Sequence, residues 1–294
     1  MPRAAVVLGL LAATLAAGCG KTDGGAEGPL AYDHRSPLAI ERGARSEGEG
    51  TVVQELSYAS GDDRVEGYLV APSATDARVP AVVFLHGAGG DRSEQLESAR
   101  KLAARGAVAL TITAPSRRKA PSPGATPEAL VRWQGDVVAA DVIAARRGLD
   151  LLAADERVDA DRLGIVGWSA GGRLATLVSA VDERVRATVL MSVGALPVAE
   201  YVDAAPAELR DVVREVLEPI DPLSRLGDAQ GAVLVQAGRR DSLVPRRALE
   251  AVIAASPEDR RFAWYLAGHE LNARAQTDRL DWLAEQLGIG GAGS

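Results

Sequence analysis

Three residue types that together make an acyl-transfer site occur far apart in this chain. Ser169 lies in Gly167-Trp168-Ser169-Ala170-Gly171-Gly172, a G-x-S-x-G string. A serine hydroxyl is a weak nucleophile and needs an adjacent base. The chain has three histidines, His34, His86 and His269. His269 is the candidate base, because it stands in Leu266-Ala267-Gly268-His269-Glu270, directly after the apolar run Phe262 to Leu266. A base of this kind needs an acid that fixes its tautomer and stabilises the imidazolium. Asp241 follows an apolar run in the same way, in Gly238-Arg239-Arg240-Asp241-Ser242-Leu243-Val244-Pro245. Asp203, Asp221 and Asp228 are rivals that do not directly follow such a run. Attack on a carbonyl also needs N–H donors aimed at the developing oxyanion. The backbone N–H of Ala170 is one candidate. The loop His86-Gly87-Ala88-Gly89-Gly90 offers the other, with Ala88 preferred and Gly87 the alternative. His86 reads as a brace for that loop rather than as the base.

Residues so far apart must be gathered by the elements that carry them. Continuous apolar runs over 81–85, 107–113, 163–166, 185–193, 233–236 and 262–266 predict strands buried on both faces. Stretches with helical spacing over 91–105, 127–154, 171–180, 248–254 and 278–287 predict helices between them. Asp91 is the expected cap of the first helix and Gly106 its stop. A hairpin over 51–58 and 64–71 precedes them. This alternation predicts an α/β fold, with a mostly parallel central sheet flanked by helices on both faces. In such sheets ligands sit beyond the carboxyl ends of the strands, where Ser169, Asp241 and His269 all fall. Glycines around Ser169 suit the sharp strand-to-helix turn of a nucleophile elbow. Residues 195–222, with the amphipathic stretch 206–217, are either a lid over the pocket or an ordinary connection. Arg117-Arg118-Lys119 reads as a solvated charge run, with attraction of an acidic substrate as the alternative. Trp133 and Trp168 read as core or pocket wall.

Composition removes several classes. The chain has 294 residues, 33 Lys+Arg against 40 Asp+Glu, and a formal net charge of −7, which argues against nucleic acid as a partner. One cysteine and three histidines are too few for a structural zinc site, and no metal is expected. No P-loop and no G-x-G-x-x-G after a strand occurs, so no organic cofactor is expected. Residues 1–18 place Arg3 before an apolar run from Ala4 to Ala17, which fits a signal peptide. The sole cysteine, Cys19, follows at once, and Leu15-Ala16-Ala17-Gly18-Cys19 resembles a bacterial lipoprotein cleavage box. That resemblance implies lipidation of Cys19 and a membrane-anchored, exported protein; plain secretion is the alternative. Residues 19–48 are then the lipidated cysteine and a flexible tether, and 49–290 the catalytic domain.

The order Ser169, Asp241, His269 differs from the chymotrypsin and subtilisin orders. Together with HGAGG, GWSAGG, GRRDSLVP and AGHE, it resembles the α/β-hydrolase superfamily, in its dienelactone-hydrolase-like and prolyl-oligopeptidase-like esterase branch. The resemblance spans about residues 50–288. It departs from true dienelactone hydrolases, which use a cysteine nucleophile where this chain has Ser169. It also lacks the propeller of the large oligopeptidases. What it implies is a serine hydrolase that cleaves small-molecule carboxylic esters through an acyl-enzyme. A peptidase or acyl-peptide hydrolase with the same triad, and a non-catalytic binding module, are the alternatives.

Overall fold

A computed structural model describes residues 28–290 apart from Asp76. The chain begins with an antiparallel meander, β1 (Glu41–Gly48), β2 (Thr51–Ser60) and β3 (Asp63–Pro72). Alternation follows: β4 (Val79–Leu85), α1 (Leu96–Ala103), β5 (Val108–Ile112), α2 (Pro127–Ala153), β6 (Val158–Trp168) and α3 (Ala170–Val181). Then come β7 (Val185–Met191), α4 (Val198–Ala204), α5 (Arg210–Leu217), α6 (Pro222–Leu226), β8 (Ala232–Gly238), α7 (Arg246–Ala255), β9 (Arg261–Tyr265) and α8 (Ala273–Leu287). One sheet takes all nine strands in the order β1-β2-β3-β5-β4-β6-β7-β8-β9. β3 joins β5 antiparallel, and every pairing from β5 to β9 is parallel. This is the mostly parallel sheet with helices on both faces that the apolar runs predict.

The strand period of two divides the core between the faces. Ala81, Val83 and Leu85 of β4 join one apolar cluster, beneath α2 and α3. Val82 and Phe84 join the other, with Leu102 of α1 and Leu280 and Leu283 of α8. The long helices start where side chains cap them. Thr126 accepts from the amide of Ala129 before Pro127 opens α2, and Asn272 accepts from Ala275 at the start of α8.

Two expectations are corrected. The first helix starts at Leu96, not Asp91. The Asp91 carboxylate instead accepts from the amide and hydroxyl of Ser93, closing a local turn that competes with helix. The tether expected through residue 48 ends earlier. Leu30 is buried in the core, and β1 pairs with β2 along its length. Residues 1–18 and Cys19 lie outside the described residues. Among the described residues no helix is long and apolar enough to cross a membrane.

Candidate active site

Ser169 sits at the turn from β6 into α3, with φ 55° and ψ −114°. A non-glycine residue rarely adopts this backbone, and it persists only where the surroundings fix it. The Ser169 amide donates to Met191 O at 2.8 Å on β7, and Ser169 O accepts from Gly172 at 3.0 Å. The turn is closed so tightly that side chains on its glycines would collide. A Cβ on Gly167 would stand 2.3 Å from Gly171 O, and one on Gly171 2.4 Å from His86 O. The G-x-S-x-G spacing is therefore a steric requirement of this turn.

The loops after β8 and β9 meet beside it. His269 Nδ1 lies 2.8 Å from Asp241 Oδ2, so of the four candidate aspartates Asp241 is the one brought to His269. Asp221 instead caps α6, accepting from Leu223 and Ser224. The other Asp241 oxygen accepts from the amides of Leu243 at 2.9 Å and Val244 at 3.0 Å. The Asp241 side chain is 1% exposed. Burial alone would raise its carboxyl, but the amides and His269 outweigh burial and hold it below the ordinary aspartate value. A carboxylate facing Nδ1 places the imidazole proton there and leaves Nε2 as the basic nitrogen.

The loop after β4 approaches from the other side of β6. The buried His86 ring braces it: Nε2 accepts from the Ala114 amide at 3.0 Å, so Nδ1 carries the proton and donates to Gly87 O at 2.7 Å. The Gly87 amide donates to Glu94 Oε2 at 2.7 Å. That commits Gly87 and leaves Ala88 the better oxyanion donor of the two. Ala170, the first residue of α3, has an amide with no partner within the helix.

Two contacts were not legible in the sequence. Glu94 carried no motif to mark it. Trp168 reads as core or pocket wall, and its Nε1 in addition donates to His269 O at 3.0 Å. Leu243 and Leu266 are large apolar side chains exposed on the loops that carry Asp241 and His269. The 195–222 segment rises from the carboxyl end of β7 and packs on α2, where Glu215 pairs with Arg132 and Val216 lies against Gly135. Arg118 and Lys119 pair with Glu66 and Asp63 of β3. Among the described residues no group of His, Cys, Asp and Glu is placed to hold a metal.

A strained serine at a strand-to-helix turn, beside an aspartate-bound histidine at the carboxyl ends of a parallel sheet, defines an α/β-hydrolase. The chain belongs to the dienelactone hydrolase family, whose model matches residues 65–286. A segment of 176 residues is 29% identical to YtaP of Bacillus subtilis (strain 168), which is named a candidate hydrolase; it covers 53% of this chain and 57% of that protein. The fold is similar to an acetyl xylan esterase from Paenibacillus sp. R4, with TM-score 0.72 and 19% identity over 85% of this chain and 90% of that one. It is also similar to acetyl xylan esterase 1 from Thermoanaerobacterium sp. JW/SL YS485, with TM-score 0.71 and 17% identity over 85% and 88% of the two chains.

Proposed function

We propose that this protein hydrolyses small-molecule carboxylic esters through an acyl-enzyme on Ser169. The observation that carries the reading is the 2.8 Å contact between His269 Nδ1 and Asp241 Oδ2, placed beside the strained Ser169 turn. His269 Nε2 takes the Ser169 proton as Oγ attacks the ester carbonyl. The Ala88 and Ala170 amides stabilise the tetrahedral oxyanion. As the intermediate collapses, the C–O bond to the alcohol breaks and His269 returns the proton to the departing oxygen. Water then attacks the acyl-enzyme by the same route, releasing the acid and restoring Ser169. The esterase neighbours favour esters over peptides, and intact serine, histidine and aspartate disfavour a non-catalytic module.

Ser169→Ala tests this. Hydrolysis of p-nitrophenyl acetate is expected to fall on the order of 10⁶-fold, with the protein still folded and unlabelled by a fluorophosphonate probe. Activity within tenfold of the parent overturns the assignment. The reading extends to location: residues 1–18 direct export and Cys19 carries lipid, as the resemblance of 15–19 to a lipoprotein box supports. Cys19→Ser is expected to move the protein from the membrane to the soluble fraction or leave it unprocessed. Parent protein that is soluble, with an unmodified Cys19, overturns this part and leaves simple secretion.

A further inference from the structure

The residue before the nucleophile touches both the His269 loop and the oxyanion loop. Trp168 ends β6 and is half-buried. Its indole N–H donates to the carbonyl of His269 at 3.0 Å. Its ring lies 5.4 Å from the His269 ring, tilted at 45°. On its other flank it meets the oxyanion loop, where a Cβ on Gly87 would come 2.8 Å from Trp168 Cε3. A single side chain thus borders the Ser169 turn, the His269 loop and the Gly87 loop.

The His269 loop needs such a hold. It is a tight turn closed by the Leu271 amide on Gly268 O at 3.2 Å, and Leu271 has φ 64°. A strained turn keeps its shape only when surrounding contacts over-determine it. The Asp241 carboxylate fixes the ring of His269, and the Arg240 amide holds the loop two residues upstream, on Ala267 O at 2.9 Å. The indole N–H holds the carbonyl of His269 itself, and it does so from the residue covalently joined to the nucleophile.

We infer that Trp168 is a positioning residue for catalysis: its N–H sets the His269 backbone relative to Ser169, so that the base and nucleophile move as one unit. This rests on the triad reading above. Simple packing would need only the ring, whereas this role needs the N–H. The two separate experimentally. Trp168→Phe removes the donor and trims the ring. Incorporation of β-(3-benzothienyl)alanine at position 168 keeps the bicyclic ring and removes only the donor.

Both variants are assayed on p-nitrophenyl acetate, with rates divided by sites titrated to completion with a fluorophosphonate, so that any misfolded fraction drops out. Loss of one positioning hydrogen bond is expected to lower kcat per titrated site about tenfold, with KM within about threefold. The downfield proton NMR signal of the His269 Nδ1–H is expected to broaden or disappear in both. Full kcat in the benzothienyl variant overturns the inference, whether or not the Phe variant is slow. A loss confined to the titratable fraction also overturns it. Ser169→Ala runs alongside: if that variant still takes the probe and turns over ester, the triad reading itself has failed, independently of Trp168.

Discussion

A carboxylate that fixes a histidine tautomer does its work through geometry and charge together. Asp241 offers one oxygen to His269 and the other to two loop amides, so its orientation does not depend on the histidine. Asp241→Asn should retain the amide contacts through its remaining carbonyl oxygen. Its NH₂ would then face Nδ1 and force the proton onto Nε2, the nitrogen that acts as base in the proposed mechanism. The expected outcome is a loss of kcat on the order of 10³–10⁴, measured at pH 7.5, with the fold unchanged by circular dichroism. A loss under tenfold would mean that another group orients His269. The residues proposed for the triad, Ser169, Asp241 and His269, can each be picked from the sequence because each follows an apolar run, which is where a parallel sheet exposes its loops. Glu94 and the indole N–H of Trp168 cannot, because their partners are backbone atoms, and a backbone atom leaves no mark in a sequence.

Elements were legible where burial imposes a period. β4 through β8 are mostly apolar runs, since both of their faces are covered, while β9 at the sheet edge is apolar but only half-buried. β1, whose sequence is ERGARSEG, has every residue exposed and buries no apolar face, being held by backbone pairing to β2 and by polar contacts from Gln54 and Arg64, so no pattern announces it. The turn between β6 and α3 lies at the other extreme, where two glycines are dictated by close approach. In Gly167→Ala the new methyl would meet Gly171 O and the Cα of Gly172, all backbone atoms that cannot rotate aside. The strand and helix would have to separate, carrying Ser169 with them. The variant is expected to lose about 2–3 kcal/mol of stability in a urea titration. Displacement of Ser169 by a fraction of an ångström to an ångström is expected to slow fluorophosphonate labelling on the order of 100-fold. Labelling at the parental rate would mean that the turn accommodates a side chain and that the glycine spacing is incidental.

At the scale of the whole molecule, the N-terminal segment is built into the end of the domain away from the active site. α2 leaves the carboxyl end of β5 and runs back toward the start of β6, so its last turns lie at the opposite pole. There Arg146, buried at 1% exposure, pairs with Asp182 at 3.3 Å, donates to Leu30 O and lies over the Tyr32 ring. Arg147 donates to the carbonyls of His34 and Ser36, and Tyr32 donates to Asp150. Polarity makes the segment around His34 look like a tether, and Arg147, which fastens it, lies more than a hundred residues away. Asp182 is the keystone of the cluster. Burial would raise its carboxyl, but Arg184 at 2.7 Å and Arg146 outweigh burial and hold it below the ordinary value of 3.8. A carboxyl depressed on folding contributes stability that is present in full above its unfolded pKa and is lost as pH falls through the lower folded value. Asp182→Ala removes the buried carboxylate that Arg146 and Arg184 both face, a change expected to cost about 3–5 kcal/mol near pH 7. The difference in urea midpoint between parent and variant should then narrow as the pH is lowered from 5 toward 3, because the parent loses the same interaction by protonation. A difference that stays constant over that range would show that Asp182 acts through packing and not through its charge.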